Sequence, residues 1–252
     1  MDIDRKYFEE KLQFVPYQTD RSLLMYELAK NISLNKKNDL LLKGGTALLF
    51  CYGLNRFSTD FDYDGMKQKI DLQKCIEDVF KNNNLNLTDL ILKKDTDTVK
   101  RYMLHYKEAV DDPIKLEISF RNIDYFKNNN YAENINNLYT YPILILSRMK
   151  IDTFLTRTKA RDVFDTAFLL QNYAKTFDEE RIIKCYNKLN DLGLNYFENL
   201  INEDKIIKNY DTNSILINFE NTLKTAYDVI NKQINEKNDN IQKNQNNGGG
   251  RK

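Results

Sequence analysis

Several residues that often announce a function are scarce in this sequence. It has no tryptophan, one histidine (His105), three prolines and three cysteines among 252 residues. Cys51, Cys75 and Cys185 are scattered, odd in number and form no Cys-x-x-Cys pair, which argues against a disulfide framework or a thiolate zinc site. A lone histidine excludes His-rich metal centres and His-Glu-x-x-His hydrolases, and any histidine-based triad would rest on His105. No apolar run approaches the ~18 residues of a membrane span. The N-terminal stretch MDIDRKYFEEKLQF lacks an apolar h-region, so no signal peptide is expected and the chain reads as cytoplasmic, with no membrane partner. An excess of one charge is missing too: 38 Lys and Arg face 37 Asp and Glu, a net charge of +1. A polyanion would have to be met by a local patch.

What remains is a globular composition, 41% hydrophobic, 12% aromatic and 30% charged, sufficient for one large domain or two small ones. Leu23, Leu24, Leu28 and Ile32 recur near helical period, predicting a helix over Thr19–Ile32 with Thr19 or Asp20 as N-cap. Asp39–Lys43 reads as a strand ending in Gly44-Gly45, followed by a short helix from Thr46 through Tyr52. Phe61 and Tyr63 alternate with Asp60, Asp62 and Asp64, the period of a strand. A helix is expected over about 71–82, then strands over Thr98–Lys107 and Ile114–Phe120, the latter with Leu116, Ile118 and Phe120 on one face and Lys115, Glu117 and Ser119 on the other. From Pro142 the pattern is helical: Ile143–Leu155, Arg161–Tyr173, Asp178–Leu189 and Asn213–Asn235. From about Glu236 the sequence is Asn, Gln, Lys and Gly with few apolar residues, which predicts disorder. The expectation is an α/β (α+β) protein: a mixed sheet with flanking helices over 1–140, a helical domain over 141–235, and a tail over 236–252.

The chemistry concentrates in Lys43-Gly-Gly-Thr-Ala-Leu-Leu-Phe-Cys-Tyr-Gly-Leu-Asn-Arg-Phe-Ser-Thr-Asp-Phe-Asp-Tyr-Asp64. Glycines between a strand and a helix let the backbone approach a phosphate and present N–H groups at a helix N-terminus, with the Thr46 hydroxyl beside them. Asp60 and Asp62 occupy alternate strand positions, so both carboxylates project from one face. Paired hard oxygen ligands suit Mg²⁺ together with substrate phosphates. A third carboxylate, Glu117 on a later strand, would allow two ions. Such a set fits in-line attack on the α-phosphorus of a nucleoside triphosphate (NTP). Asp64 reads as an outer ligand or an exposed turn residue, the turn being favoured. Cys51 and Cys75 fit small buried hydrophobes, and His105 a structural strand residue.

The Gly-Gly-Thr and Arg-x-Ser-x-Asp-x-Asp string resembles the AbiEii/AbiGii-type nucleotidyltransferase toxins, members of the polymerase-β-like nucleotidyltransferase superfamily and toxin halves of type IV abortive-infection systems. The similarity covers about residues 20–230. Lys150-Ile-Asp-Thr-Phe-Leu-Thr-Arg-Thr-Lys-Ala-Arg-Asp-Val-Phe-Asp165 is similar to the family's later motif, a lysine on a helix, a basic segment, then Arg-Asp-x-x-Asp. The resemblance implies that Asp60 and Asp62 bind the metal, that Lys150 contacts nucleotide phosphates, and that Asp162 and Asp165 complete the site; Glu117 matches the third-carboxylate position. Gly44, Gly45, Thr46, Arg56, Ser58, Lys150 and Arg161 are the nucleotide-binding candidates. On a continuous helix Lys150, Arg157 and Arg161 would form a basic stripe; a break near 158–160 would still turn a basic segment toward the acids, and a solvated surface in which Asp162 and Asp165 pair the bases is the other reading. The resemblance further implies an NTP substrate, a tRNA 3′ end as acceptor, blocked translation and a separately encoded antitoxin. A protein or small-molecule acceptor, or nucleotide binding without turnover, are the alternatives.

Overall fold

The computed structural model describes residues 3–36, 39–66, 69–109, 111–122, 132–207 and 210–248. The chain divides into two compact units, Met1–Leu146 and Ser147–Lys252.

The first unit is built on a seven-stranded mixed sheet with strand order β3-β4-β5-β2-β1-β7-β6. The strands are β1 (Leu40–Lys43), β2 (Phe61–Gly65), β3 (Leu87–Asp95), β4 (Val99–Tyr106), β5 (Ile114–Ser119), β6 (Glu133–Ile135) and β7 (Leu138–Thr140). Among the described residues its α-helices are α1 (Pro16–Asn35), α2 (Gly44–Tyr52) and α3 (Gln73–Asn82), preceded by a short π-helix at Tyr7–Lys11. β2 runs parallel to β5 and antiparallel to β1, with Tyr63 opposite Leu42 and Ile118. Side chains alternate across a strand, so Leu42, Phe61, Tyr63, Leu116, Ile118, Tyr102 and Leu104 share one buried face. Lys43, Asp62, Glu117 and Arg101 lie on the other. Burial of the first face holds the register: a one-residue slip would move every apolar side chain into water and every charge into the core.

α1 starts earlier than the sequence suggests. Pro16 occupies its first turn, where a missing N–H costs nothing, and the Gln18 side chain accepts the Val15 N–H at 3.3 Å. β3 is an edge strand that sequence pattern does not reveal, because both of its faces are largely exposed and no alternation is imposed. Register shifts between Leu87 and Asp89 and between Leu92 and Lys94 interrupt its ladder, and bulges with charged neighbours are the usual guard against edge-to-edge pairing. The β6–β7 hairpin turns on Asn136 and Asn137, both at positive φ, as the twist of a two-residue hairpin loop requires.

The second unit is helical: α4 (Ile143–Thr156, entering from the first unit), α5 (Ala160–Tyr173), α6 (Glu179–Leu192), α7 (Leu194–Glu203) and α8 (Thr212–Gly248). Phe154 packs against Phe197 and Phe219 with ring centroids 6.1 and 6.0 Å apart, and Tyr186 stacks on Tyr227 at 4.3 Å. Asp178 caps α6 by accepting the Arg181 N–H at 2.9 Å. α7 follows after Gly193 at φ 77°, a junction too short to read from pattern. The chain breaks between Thr156 and Ala160, near the alternative break at 158–160, so the basic stripe that a continuous helix would give does not form. Within the expected tail, α8 continues to Gly248, and 249–252 lie outside the described residues. Asn, Gln and Lys bury little, but they carry no helix breaker, and extending a nucleated helix is far easier than starting one.

All three cysteines are buried. Burial raises the pKa of each thiol, that of Cys185 up to about 12 and those of Cys51 and Cys75 in the same direction. Thiolate is the reactive form, so titration with a disulfide reagent at pH 8 should find the native thiols almost inert and all of them reactive in denaturant. Rapid native labelling would show that the cores around them open readily.

Candidate active site

β1 passes into α2 without a loop, and the bend falls on Gly44 at φ 74°. A Cβ there would lie 3.0 Å from Asp62 Oδ2, and one on Gly45 would lie 2.5 Å from Arg56 Nη2 and 3.3 Å from Ser58 Oγ. Gly44 needs glycine for its left-handed backbone, while a Cβ on Gly45 would require the Arg56 guanidinium to shift. Arg56 is buried and donates to the Phe57 carbonyl at 3.0 Å, so it supports the bend from beneath. The Thr46 hydroxyl lies 2.9 Å from that of Ser58 and donates to the Asp60 carbonyl. The glycine bend, Ser58 and Asp60 thus form one hydrogen-bonded assembly. α2 has no side-chain cap, and an uncapped N-terminal turn favours an anion.

Cross-strand register brings the charged residues into a row. Lys43 of β1 is opposite Asp62 of β2, which is opposite Glu117 of β5, which is opposite Arg101 of β4. Asp60, one residue before β2, pairs with Lys115 at 3.1 Å. Asp60 and Asp62 are both half-buried and offer hard carboxylate oxygens beside the glycine bend, a donor set that fits a divalent cation sharing its shell with phosphates. Glu117 reaches the expected place, but its carboxylate accepts Arg101 Nε at 2.8 Å. Among the described residues no group of three or more His, Cys, Asp or Glu is disposed to hold a metal ion. In this structure Glu117 pairs with Arg101 across the β4–β5 ladder.

Asp64 departs from expectation most. It is fully buried, not in an exposed turn. Lys43 Nζ lies 2.6 Å from its Oδ1, and the Tyr141 hydroxyl donates to Oδ2 at 2.9 Å. Asp64 thereby anchors the lysine that immediately precedes the glycine bend. Arg21 of α1 is a second unforeseen support. It is buried and donates to the carbonyls of Thr59 at 3.1 Å and Pro113 at 3.3 Å, tying the entries of β2 and β5 together beside Asp60 and Lys115. The alternations of Lys115 with Glu117 and of Asp60, Asp62 and Asp64 were visible in sequence; the partners that bury Arg21 and Asp64 were not, because they are distant along the chain.

The later motif lies in the second unit. Lys150 of α4 pairs with buried Asp165 of α5 at 2.6 Å. Arg157 binds buried Asp162 through both carboxylate oxygens, at 2.7 and 3.0 Å, and so closes the bend between α4 and α5. Arg161 lies 3.8 Å from Asp204. Both acids of the Arg-Asp-x-x-Asp motif are counter-ions to bases of their own unit, and Asp165 fixes the Lys150 ammonium. His105 is half-buried on β4 opposite Asp89.

Residues 28–222 match the family model described as "Nucleotidyl transferase AbiEii toxin, Type IV TA system". The chain belongs to this family. A comparison with curated protein sequences gives no match. Among solved structures, JHP933 from Helicobacter pylori is similar at 28% identity and a TM-score of 0.72, over 89% of this chain and 98% of that one. A second H. pylori structure is 28% identical with a TM-score of 0.73, over 87% of this chain and 99% of that one. MenT4, a nucleotidyltransferase toxin from Mycobacterium tuberculosis, shares the fold at 14% identity and a TM-score of 0.50, over 90% of each chain. This AbiEii-family protein is thus a nucleotidyltransferase, and the motifs that carry the resemblance fall on the glycine bend, on Asp60 and Asp62 at the start of β2, and on α4 and α5. Among the described residues no helix is long and apolar enough to cross a membrane.

Lys43→Met leaves Asp64 as a buried carboxylate without its cation. Unfolding in urea should show a loss of about 3 kcal/mol, partly recovered by adding Asp64→Asn. An unchanged midpoint would show that the pair does not hold the bend.

Proposed function

We propose that this protein transfers a nucleotide from an NTP to the 3′-hydroxyl of tRNA, with Mg²⁺ as cofactor, and so blocks translation and growth in the cytoplasm until a separately encoded antitoxin restrains it, the physiological setting being abortive infection. The observation that carries the reading is the nearness of Gly44 to the Asp62 carboxylate, whose Oδ2 would lie 3.0 Å from a Cβ at that position, so that an uncapped helix start sits beside the aspartates. The triphosphate lies at Gly44, Gly45 and Thr46, with the hydroxyls of Thr46 and Ser58 fixing the bend. Asp60 and Asp62 hold the magnesium, whose role when bound is to neutralise phosphate charge. The acceptor oxygen forms a bond to the α-phosphorus as the bond from that phosphorus to the bridging oxygen breaks. Pyrophosphate leaves with the electron pair, and the hydroxyl proton passes to solvent. Orientation and charge neutralisation supply the catalysis.

Incubation with each labelled NTP, Mg²⁺ and total tRNA should label RNA, and Asp62→Asn should lower the rate at least ~100-fold without shifting the melting temperature downward. Label appearing on protein or on a small molecule would overturn the tRNA assignment. Full activity in Asp62→Asn would overturn the site.

A further inference from the structure

Strand pairing fixes the two aspartates unequally. Asp62 lies in both ladders of β2, opposite Lys43 and opposite Glu117. Asp60 precedes the first β2–β5 pair, Phe61 with Leu116, so bonds outside the ladder set its place. A peptide group is planar, and holding its carbonyl oxygen holds the Cα atoms on either side. Thr46 Oγ1 donates to the Asp60 carbonyl, which pins the peptide that follows Asp60. The peptide that precedes it carries the Thr59 carbonyl, and this accepts Arg21 Nη2 at 3.1 Å.

The same Nη2 donates to the Pro113 carbonyl at 3.3 Å, two residues before Lys115, whose ammonium lies 3.1 Å from Asp60. Nη1 donates to the Asp112 carbonyl at 2.5 Å and lies 3.3 Å from Asp112 Oδ2 and 3.4 Å from the hydroxyls of Tyr17 and Tyr106. One guanidinium therefore joins the entries of β2 and β5. It does so at a cost: Arg21 is 2% exposed, and its Nε is buried with no acceptor among the described residues. A methionine would fill the space with neither a buried charge nor an orphaned donor. It would offer no N–H to the carbonyls, however, and a lysine lacks the planar fork that reaches both segments at once. Mg²⁺ demands near-ideal octahedral geometry, so a slightly displaced ligand binds it less well. We propose that Arg21 is a positioning residue of the metal site, acting on the ion through Asp60. The inference rests on the reading of Asp60 as a magnesium ligand and names the residue that sets its place.

A double-mutant cycle on the full chain tests this. With labelled NTP and total tRNA, the half-saturating Mg²⁺ concentration and the maximal rate are measured in wild type, Arg21→Lys, Asp60→Asn and the double variant. Arg21→Lys should raise the half-saturating Mg²⁺ about tenfold, with a smaller fall in the maximal rate. In the Asp60→Asn background the same substitution should change neither, because the ligand it positions is gone. An effect of equal size in both backgrounds, or an unchanged Mg²⁺ dependence in Arg21→Lys, would overturn the positioning role and leave the proposed function intact. Should Arg21→Lys not fold, Asp112→Asn decides: it removes an exposed partner of Nη1 and should shift the Mg²⁺ requirement in the same direction by a smaller factor, and no shift would overturn the proposal. Full activity in Asp60→Asn, or RNA left unlabelled by the wild type, would overturn the underlying reading and this inference with it.

Discussion

The site depends on a close approach: the backbone bends at Gly44 so near Asp62 that a Cβ there would come within 3.0 Å of its carboxylate. Two elements distant in sequence meet there because β1 and β2 are adjacent antiparallel strands in fixed register. The burial that sets this register is on the opposite face of the sheet, where Leu42, Phe61 and Tyr63 are excluded from water. Hydrophobic packing on one face thus positions the charges on the other. The Lys43–Asp64 pair fastens the same bend from the strand side, and the Thr46–Ser58 contact fastens it from the helix side.

Charge balance explains how so many acids gather on one face. Asp60, Asp62, Asp64 and Glu117 would repel one another, and Lys115, Lys43 and Arg101 are interleaved with them in cross-strand register. Opposite charges at facing positions stabilise a sheet modestly, while like charges there cost similar amounts. A near-neutral chain can therefore hold a polyanion site. The second unit follows the same rule with helices, as Asp162 and Asp165 each take a base from the segment before them.

Much of this was legible in the sequence, and the failures have physical causes. The glycine pair and the Asp-x-Asp alternation encode local geometry, so β1, α2 and β2 could be read directly. β5 was equally clear, because one face is buried and imposes period two. β3 was not, since an exposed edge strand places no constraint on its side chains. Asp64 looked like a turn residue because its counter-ion, Lys43, and its hydroxyl donor, Tyr141, come from other strands and from beyond β7. Glu117 was placed correctly in register, but Arg101, the residue that claims its carboxylate, cannot be chosen from spacing. The helical reading of the tail stopped at Asn235 because sequence pattern measures burial, while α8 persists on propagation.

The most direct measurement is a crystal structure of the protein with Mn²⁺ and an NTP whose α–β bridge cannot be cleaved. Anomalous scattering should place the metal on oxygens of Asp60 and Asp62, with the phosphates against Gly44 and Gly45. A metal bound elsewhere, or a triphosphate that leaves the glycine bend untouched, would contradict the account.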